Sequence, residues 1–155
     1  MIGRPCIAGF VALLLAGTAA GQGTTLQAKR GISTGAYHTC SVINGGAVSC
    51  WGWNDGGALG IGSSIDHSLV PLPVPALTSG VVTVASNYSH SCALLVAGTV
   101  RCWGRNSDGQ LGDGTKTARS SPVGVKKLPA VAGLGVGKDR TCAFTAAGSV
   151  YCWAG

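Results

Sequence analysis

Seven cysteines, three histidines and five aspartates are the residues of this 155-residue chain with the most obvious reactive or metal-binding potential. Their spacing narrows what that chemistry can be. Six of the cysteines form three pairs ten positions apart: Cys40 and Cys50, Cys92 and Cys102, Cys142 and Cys152. Zinc ligands usually stand two to four residues apart, and no such pair occurs. An even set of well-spaced cysteines in a secreted chain points to disulfides. His38 and His90 each precede a cysteine by two residues, and no nucleophile or carboxylate recurs with them. They read as hydrogen-bonded turn histidines; His67 has no partner of its own. Asn106, Asp108 and Asp113 in "NSDGQLGDG" have the opening of a calcium loop. That loop needs a glutamate at its twelfth position, and the chain has no glutamate. Asx-turns around glycines are the simpler reading. "GLGVG" (133–137) opens no helix and lacks the lysine of a phosphate loop. No Ser/His/Asp order or carboxylate pair stands out. The chain is therefore expected to carry no catalysis, metal or cofactor of its own.

The elements that must position these residues follow from the cysteine spacing. If Cys92 faces Cys102 on antiparallel strands, Ala93 faces Arg101, Leu94 faces Val100 and Leu95 faces Thr99. Val96, Ala97 and Gly98 remain as a loop of three, commonly a type I turn followed by a left-handed residue. Glycine suits that third position because it has no Cβ to clash. The same register leaves Asn44, Gly45 and Gly46, then Ala146, Ala147 and Gly148, with glycine third each time. Bridges 40–50, 92–102 and 142–152 inside hairpins are expected. Cys92, Leu94, Val100 and Cys102 share one face; Ala93, Leu95 and Trp103 share the other, interrupted by Arg101. A sheet apolar on both faces needs neighbours on both sides.

The N-terminal stretch reads differently. Arg4 is followed by the apolar run "CIAGFVALLLAG" (6–17) and by Thr18, Ala19 and Ala20. The run is too short to span a bilayer, and the order of features is that of a secretory signal cleaved after Ala20. Cleavage removes Cys6 and leaves six cysteines. It also leaves a net charge of +5, from ten basic residues against five aspartates. The charges are interspersed, as on a solvated surface, and form no nucleic-acid footprint. No second long apolar run exists to cross a membrane after signal cleavage. The expected location is secreted, extracellular or periplasmic.

The cysteine pairs recur at offsets of 52 and 50 residues, and more than the hairpin recurs. "WGWNDGGALGIG" (51–62) is matched by "WGRNSDGQLGDG" (103–114), "PLPV" (71–74) by "PVGV" (122–125), and "VVTVAS" (81–86) by "VAGLGV" (131–136). Each unit holds four short strands and glycine-rich turns, the arithmetic of a β-propeller blade. Trp51, Trp103 and Trp153 recur with the unit and read as inter-blade core. Trp53 does not recur; its counterpart is Arg105. An exposed aromatic there could meet a sugar or a partner protein. Trp53, Asn54, Arg105, Asn106 and Asp108 are accordingly the candidate binding-loop residues.

These motifs resemble the regulator of chromosome condensation repeat family, through "HTC…GAVSCWGWN…GGALGIG", "SHSCALL…GTVRCWGRNSDGQLGDG" and "RTCAF…GSVYCW". The cysteine-paired form is similar to that of secreted bacterial proteins. The resemblance implies an all-β partial propeller of about two and a half four-stranded blades, with a disulfide in each hairpin. Residues 1–20 are assigned to the signal, 21–31 to a linker or first strand, and 32–81, 82–131 and 132–155 to repeats, the last truncated. Arg140 replaces the histidine of the first two copies, and Ala154 replaces Gly52 and Gly104. Two and a half blades cannot close a ring, so missing C-terminal blades or self-association are expected. The function expected is a secreted scaffold for protein or other ligand binding. The alternatives are part of a secreted carbohydrate-binding or hydrolytic protein, and a guanine-nucleotide exchange factor. Some secreted members of the family inhibit β-lactamases, and that role is among those the resemblance implies. A signal peptide and disulfides argue against the cytosolic exchange role.

Overall fold

The computed structural model describes residues 31–154. The signal segment, Cys6 and most of the linker lie outside the described residues. Three antiparallel sheets follow one another along the chain. The first contains β1 (Gly31–Thr34), β2 (His38–Val42), β3 (Val48–Trp53) and β4 (His67–Pro73). The second contains β5 (Val81–Asn87), β6 (His90–Leu95), β7 (Val100–Gly104) and β8 (Arg119–Gly124). The third contains β9 (Gly133–Val136), β10 (Thr141–Phe144) and β11 (Val150–Trp153). Each sheet is a simple meander in chain order.

The segment 81–86 opens the second sheet, where β5 pairs with β6. The chain leaves β4 at Pro73 and turns through Val74 and Leu77, whose backbones are tied to Val48. It then returns beside β1 to start the second sheet. Proline at 73 and 75 cannot donate a ladder hydrogen bond, so pairing in the first sheet stops there.

The two faces of the middle hairpin bury into two separate cores. Ala93 and Trp103 join Cys40, Val42, Val48, Cys50, Leu59 and Val81 between the first and second sheets. Cys92, Leu94, Val100 and Cys102 join Leu111, Val131 and Ala143 between the second and third. The doubly apolar strands thus have the neighbours they require. The outward face of the third hairpin is different: Phe144 is 49% exposed and Val150 is 68% exposed.

The three cysteine pairs are disulfides, each across ten residues. The cysteines face each other within the hairpin ladders, as do Ala93 and Arg101, and Leu94 and Val100. Leu95 N–H donates to Thr99 O at 2.9 Å, closing the loop of three, and Gly98 has a φ of +78°. Gly148 matches it at +88°. The first loop departs from the expected type I turn, because Gly45 as well as Gly46 has a φ of +79°.

Gly98 and Gly148 share a conformation but not a neighbourhood. A Cβ on Gly98 would stand 2.9 Å from the Ala130 Cβ and 3.1 Å from the Val131 N, whereas one on Gly148 would meet nothing within 4 Å. Gly148→Val should cost only the left-handed backbone, about 1–2 kcal/mol. Gly98→Val adds overpacking of about 1–3 kcal/mol against the linker into the third sheet. Urea midpoints of the two variants should fall in that order; equal losses would contradict the packing of β9's approach on the middle hairpin.

Candidate functional site

Asn54 and Asn106 organise the loops that follow β3 and β7. Asn106 Oδ1 accepts from Leu111 N at 3.0 Å, and its Nδ2 donates to Thr115 O at 2.9 Å and Thr117 O at 3.0 Å. Asn54 repeats the pattern with Leu59 N, Ser63 O and Ile65 O. Both side chains are buried and spent on backbone groups that the loop would otherwise leave unpaired. Both therefore organise their loops, and Asn54 also lines a cleft beside Trp53.

The loop ends rest on the next sheet. Trp103 is fully buried and donates from Nε1 to Ala58 O at 2.9 Å; Trp153 does the same to Gln110 O at 2.9 Å. Trp51 holds the same position in the first sheet and is half-buried, with no preceding sheet among the described residues.

The histidines are relays between sheets. His38 Nε2 lies 2.8 Å from Ser91 Oγ, and His90 Nε2 lies 3.1 Å from Thr141 Oγ1. Ser91 Oγ also meets Ser86 Oγ at 2.8 Å, and Thr141 Oγ1 donates to Gln110 O at 2.9 Å. Burial holds the His38 ring down to about 4, against a smaller opposing effect of its bond to the Tyr88 carbonyl. Burial, then the neighbouring His38, lower His90 to about 4 against a small opposing pull from Asp139. A neutral, enclosed imidazole bonded to a hydroxyl is a structural link between blades. Thr39, Ser91 and Thr141 all follow the relay position. That recurring hydroxyl was visible in the sequence, but its partner lay one repeat earlier.

Asp113, expected in an Asx-turn, also ties the loop to Arg119. It accepts from Thr115 Oγ1 at 2.7 Å, Thr115 N at 2.9 Å and Arg119 Nε at 2.8 Å. Burial alone would raise its pKa, but the bonds from Thr115 and then Arg119 outweigh that and hold it down to about 2. Asp108 turns to Ser107 Oγ at 2.8 Å instead. Asn106, Asp108 and Asp113 therefore do not converge as calcium ligands. Among the described residues, no three His, Cys, Asp or Glu side chains are grouped as a metal site.

What remains at the surface lies at the end of the sheets where β2 and β6 start. Trp53 is 57% exposed and packs on His67 with the two rings tilted by 45° and their centroids 5.4 Å apart. Arg105 and Asp108 are half-buried. The Arg105 and Lys138 side chains flank the Tyr88 ring at 5.8 and 5.3 Å. Tyr88 adopts a φ of +44°, rare for a bulky residue, and its carbonyl also accepts from Ala36 N at 2.9 Å. A cleft of about 680 Å³ opens beside Trp53, lined by Asp55, Ile65, Asp66 and Ser120 among others.

Comparison with known proteins agrees with this architecture. The family model described as the regulator of chromosome condensation (RCC1) repeat matches residues 45–94 and 97–144, and a second model of that repeat matches 81–110. The chain belongs to the RCC1 repeat family. The human protein called probable E3 ubiquitin-protein ligase HERC3 is 34% identical over 133 residues, 84% of this chain but 12% of that protein. The Arabidopsis thaliana ultraviolet-B receptor UVR8 is 35% identical over 98 residues, 63% of this chain and 22% of that one. The chain thus spans about an eighth of the ligase it matches. Prp20p of Saccharomyces cerevisiae, described with its binding to Gsp1p and histones, is 28% identical with a TM-score of 0.68, over 80% of this chain and 32% of that one. Human WBSCR16 superposes with a TM-score of 0.72 at 20% identity, over 82% and 33% of the two chains. The three sheets are RCC1-type propeller blades, and each carries its disulfide in the hairpin.

Proposed function

We propose that this RCC1-repeat chain is a secreted or periplasmic binding scaffold. It engages a protein partner through the loop surface that carries Trp53 and Arg105, and performs no catalysis of its own. The observation that carries this reading is a division of labour within the loops. The asparagines that shape them are buried and satisfied, while at the position that differs between copies Trp53 stands exposed beside a cleft and Arg105 is half-buried next to Tyr88. Large aromatic and arginine side chains are the residues most enriched at protein-binding hot spots. The location rests on the N-terminal signal pattern and on three disulfides, which persist in oxidising compartments.

The test is made in a host that exports proteins. The full chain should be exported, lose residues 1–20 and retain three disulfides by intact mass. A photo-crosslinking residue at position 53 should form a discrete protein adduct in that compartment. The same residue at position 97, on the hairpin tip at the opposite end of the second sheet, should not. Retention of the full-length chain in the cytosol, or equal adducts from both positions, would overturn the reading.

A further inference from the structure

The cleft beside Trp53 differs in charge from the rest of the molecule. No lysine or arginine occurs from residue 31 to residue 100, and the carboxylates of that stretch are Asp55 and Asp66. Both line the cleft, together with the exposed face of Trp53. The cations nearest to it are engaged elsewhere. Arg105 directs Nε to Ser107 Oγ at 3.0 Å and its guanidinium towards Tyr88. Arg119, between the cleft residues Ala118 and Ser120, is held by Asp113 at 2.8 Å. Asp55 has Ser89 Oγ at 3.4 Å, and neither cleft carboxylate has an ion pair among the described residues.

The second repeat is an internal control. Its loop is built by Asn106 as the first is built by Asn54, yet it carries Arg105, Ser107 and Ala118 where the first carries Trp53, Asp55 and Asp66. The loop frame therefore requires neither the aromatic nor the two acids. Their occurrence together at one cleft needs another reason.

We propose that this cleft receives an arginine side chain from a partner polypeptide, its guanidinium stacked on Trp53 and paired with Asp55 and Asp66. The inference rests on the reading of this surface as a protein-binding face and names the chemistry of what binds there. A guanidinium matches the site because it is planar, weakly hydrated and able to stack on an indole while its N–H groups meet carboxylates. An ammonium is more strongly hydrated and lacks the flat face. A neutral sugar would also stack on the indole and donate hydroxyls to the carboxylates, but it would leave their two negative charges uncompensated.

The probe is a short acetylated, amidated Gly-Arg-Gly peptide titrated into the oxidised chain and followed at the Trp53 indole N–H by nuclear magnetic resonance. That signal is assigned by its absence in Trp53→Phe. Saturable movement is expected, weakened by added salt. Asp55→Asn with Asp66→Asn should weaken binding about tenfold, and Trp53→Ala about threefold or more. The Gly-Lys-Gly peptide should bind several-fold more weakly. Equal binding of the lysine peptide, tighter binding of a neutral oligosaccharide, no response to the double asparagine variant, or dimerisation of the chain through this cleft would each overturn the inference. A protein adduct at position 53 that survives the asparagine substitutions would remove the arginine assignment and leave the binding-scaffold reading standing. Loss of the adduct in the asparagine variants only would support the arginine assignment, and no adduct even with both aspartates in place would remove the binding-scaffold reading.

Discussion

Reduction of the three disulfides should unfold this chain under conditions where the oxidised form is stable. Each bridge closes a short loop and contributes up to about 3 kcal/mol, so the three together reach about 9 kcal/mol. That is comparable with the whole stability of an ordinary domain, about 5–15 kcal/mol. The order of reduction should be uneven. Cys40, Cys50, Cys92 and Cys102 are fully buried between sheets, whereas Cys152 is exposed on the open side of the third hairpin. A mild reductant should open 142–152 first, seen as two alkylated cysteines by mass spectrometry before any loss of cooperative unfolding. Stronger reduction should then abolish the transition. A fully reduced chain with an unchanged urea midpoint would mean that the apolar interfaces alone hold the blades together.

Acid should destabilise the oxidised chain well above the pH at which carboxylates titrate. His38 and His90 are held near 4 by burial, against 6.5 for an ordinary histidine. The unfolded chain therefore binds more protons than the folded one between these values. Stability from the neutral rings is fully present above about 6.5 and is lost as pH falls towards 4. The two rings together account for up to about 7 kcal/mol by linkage, at about 1.36 kcal/mol per pH unit each. Asp113 acts in a lower window: its contribution is present above about 3.8 and lost as pH falls through 2. The third repeat adds no step, because Arg140 stands at its relay position. Urea midpoints measured from pH 7.5 to 4 should fall steeply, and His38→Gln with His90→Gln should flatten the profile. A flat profile for the unsubstituted chain would show that the relays accept a proton without cost.

The hairpins were legible because their constraints are local. Ten-residue cysteine spacing, alternation of apolar residues and a glycine third in each loop specify a register within about 15 residues, and the register holds in all three copies. The repeat period was legible for the same reason, since similar local patterns recur. What joins one repeat to the next was less so. The strand at 81–87 looks equally apolar whichever sheet it joins; the linker from Val74 to Gly80 and its contacts with β2 and β6 place it in the second.

The sequence by itself therefore determined the blade: its strands, its bridge, its turns and its kinship with the RCC1 repeat. Only the tertiary structure decided which polar residues are spent inside and which stand free. Asn106 and Asp108 sit two positions apart in one loop, yet one is fully buried and bonded to the Leu111 and Thr117 backbone while the other is half-buried and accepts from Ser107 Oγ. His38 and Ser91 lie 53 residues apart and meet at 2.8 Å. Trp53, two positions after the half-buried Trp51, closes β3 and stands 57% exposed at the cleft with Asp55 and Asp66. Burial of a polar group depends on what the neighbouring blade places over it. That is a property of packing across repeats, which no window of one repeat contains.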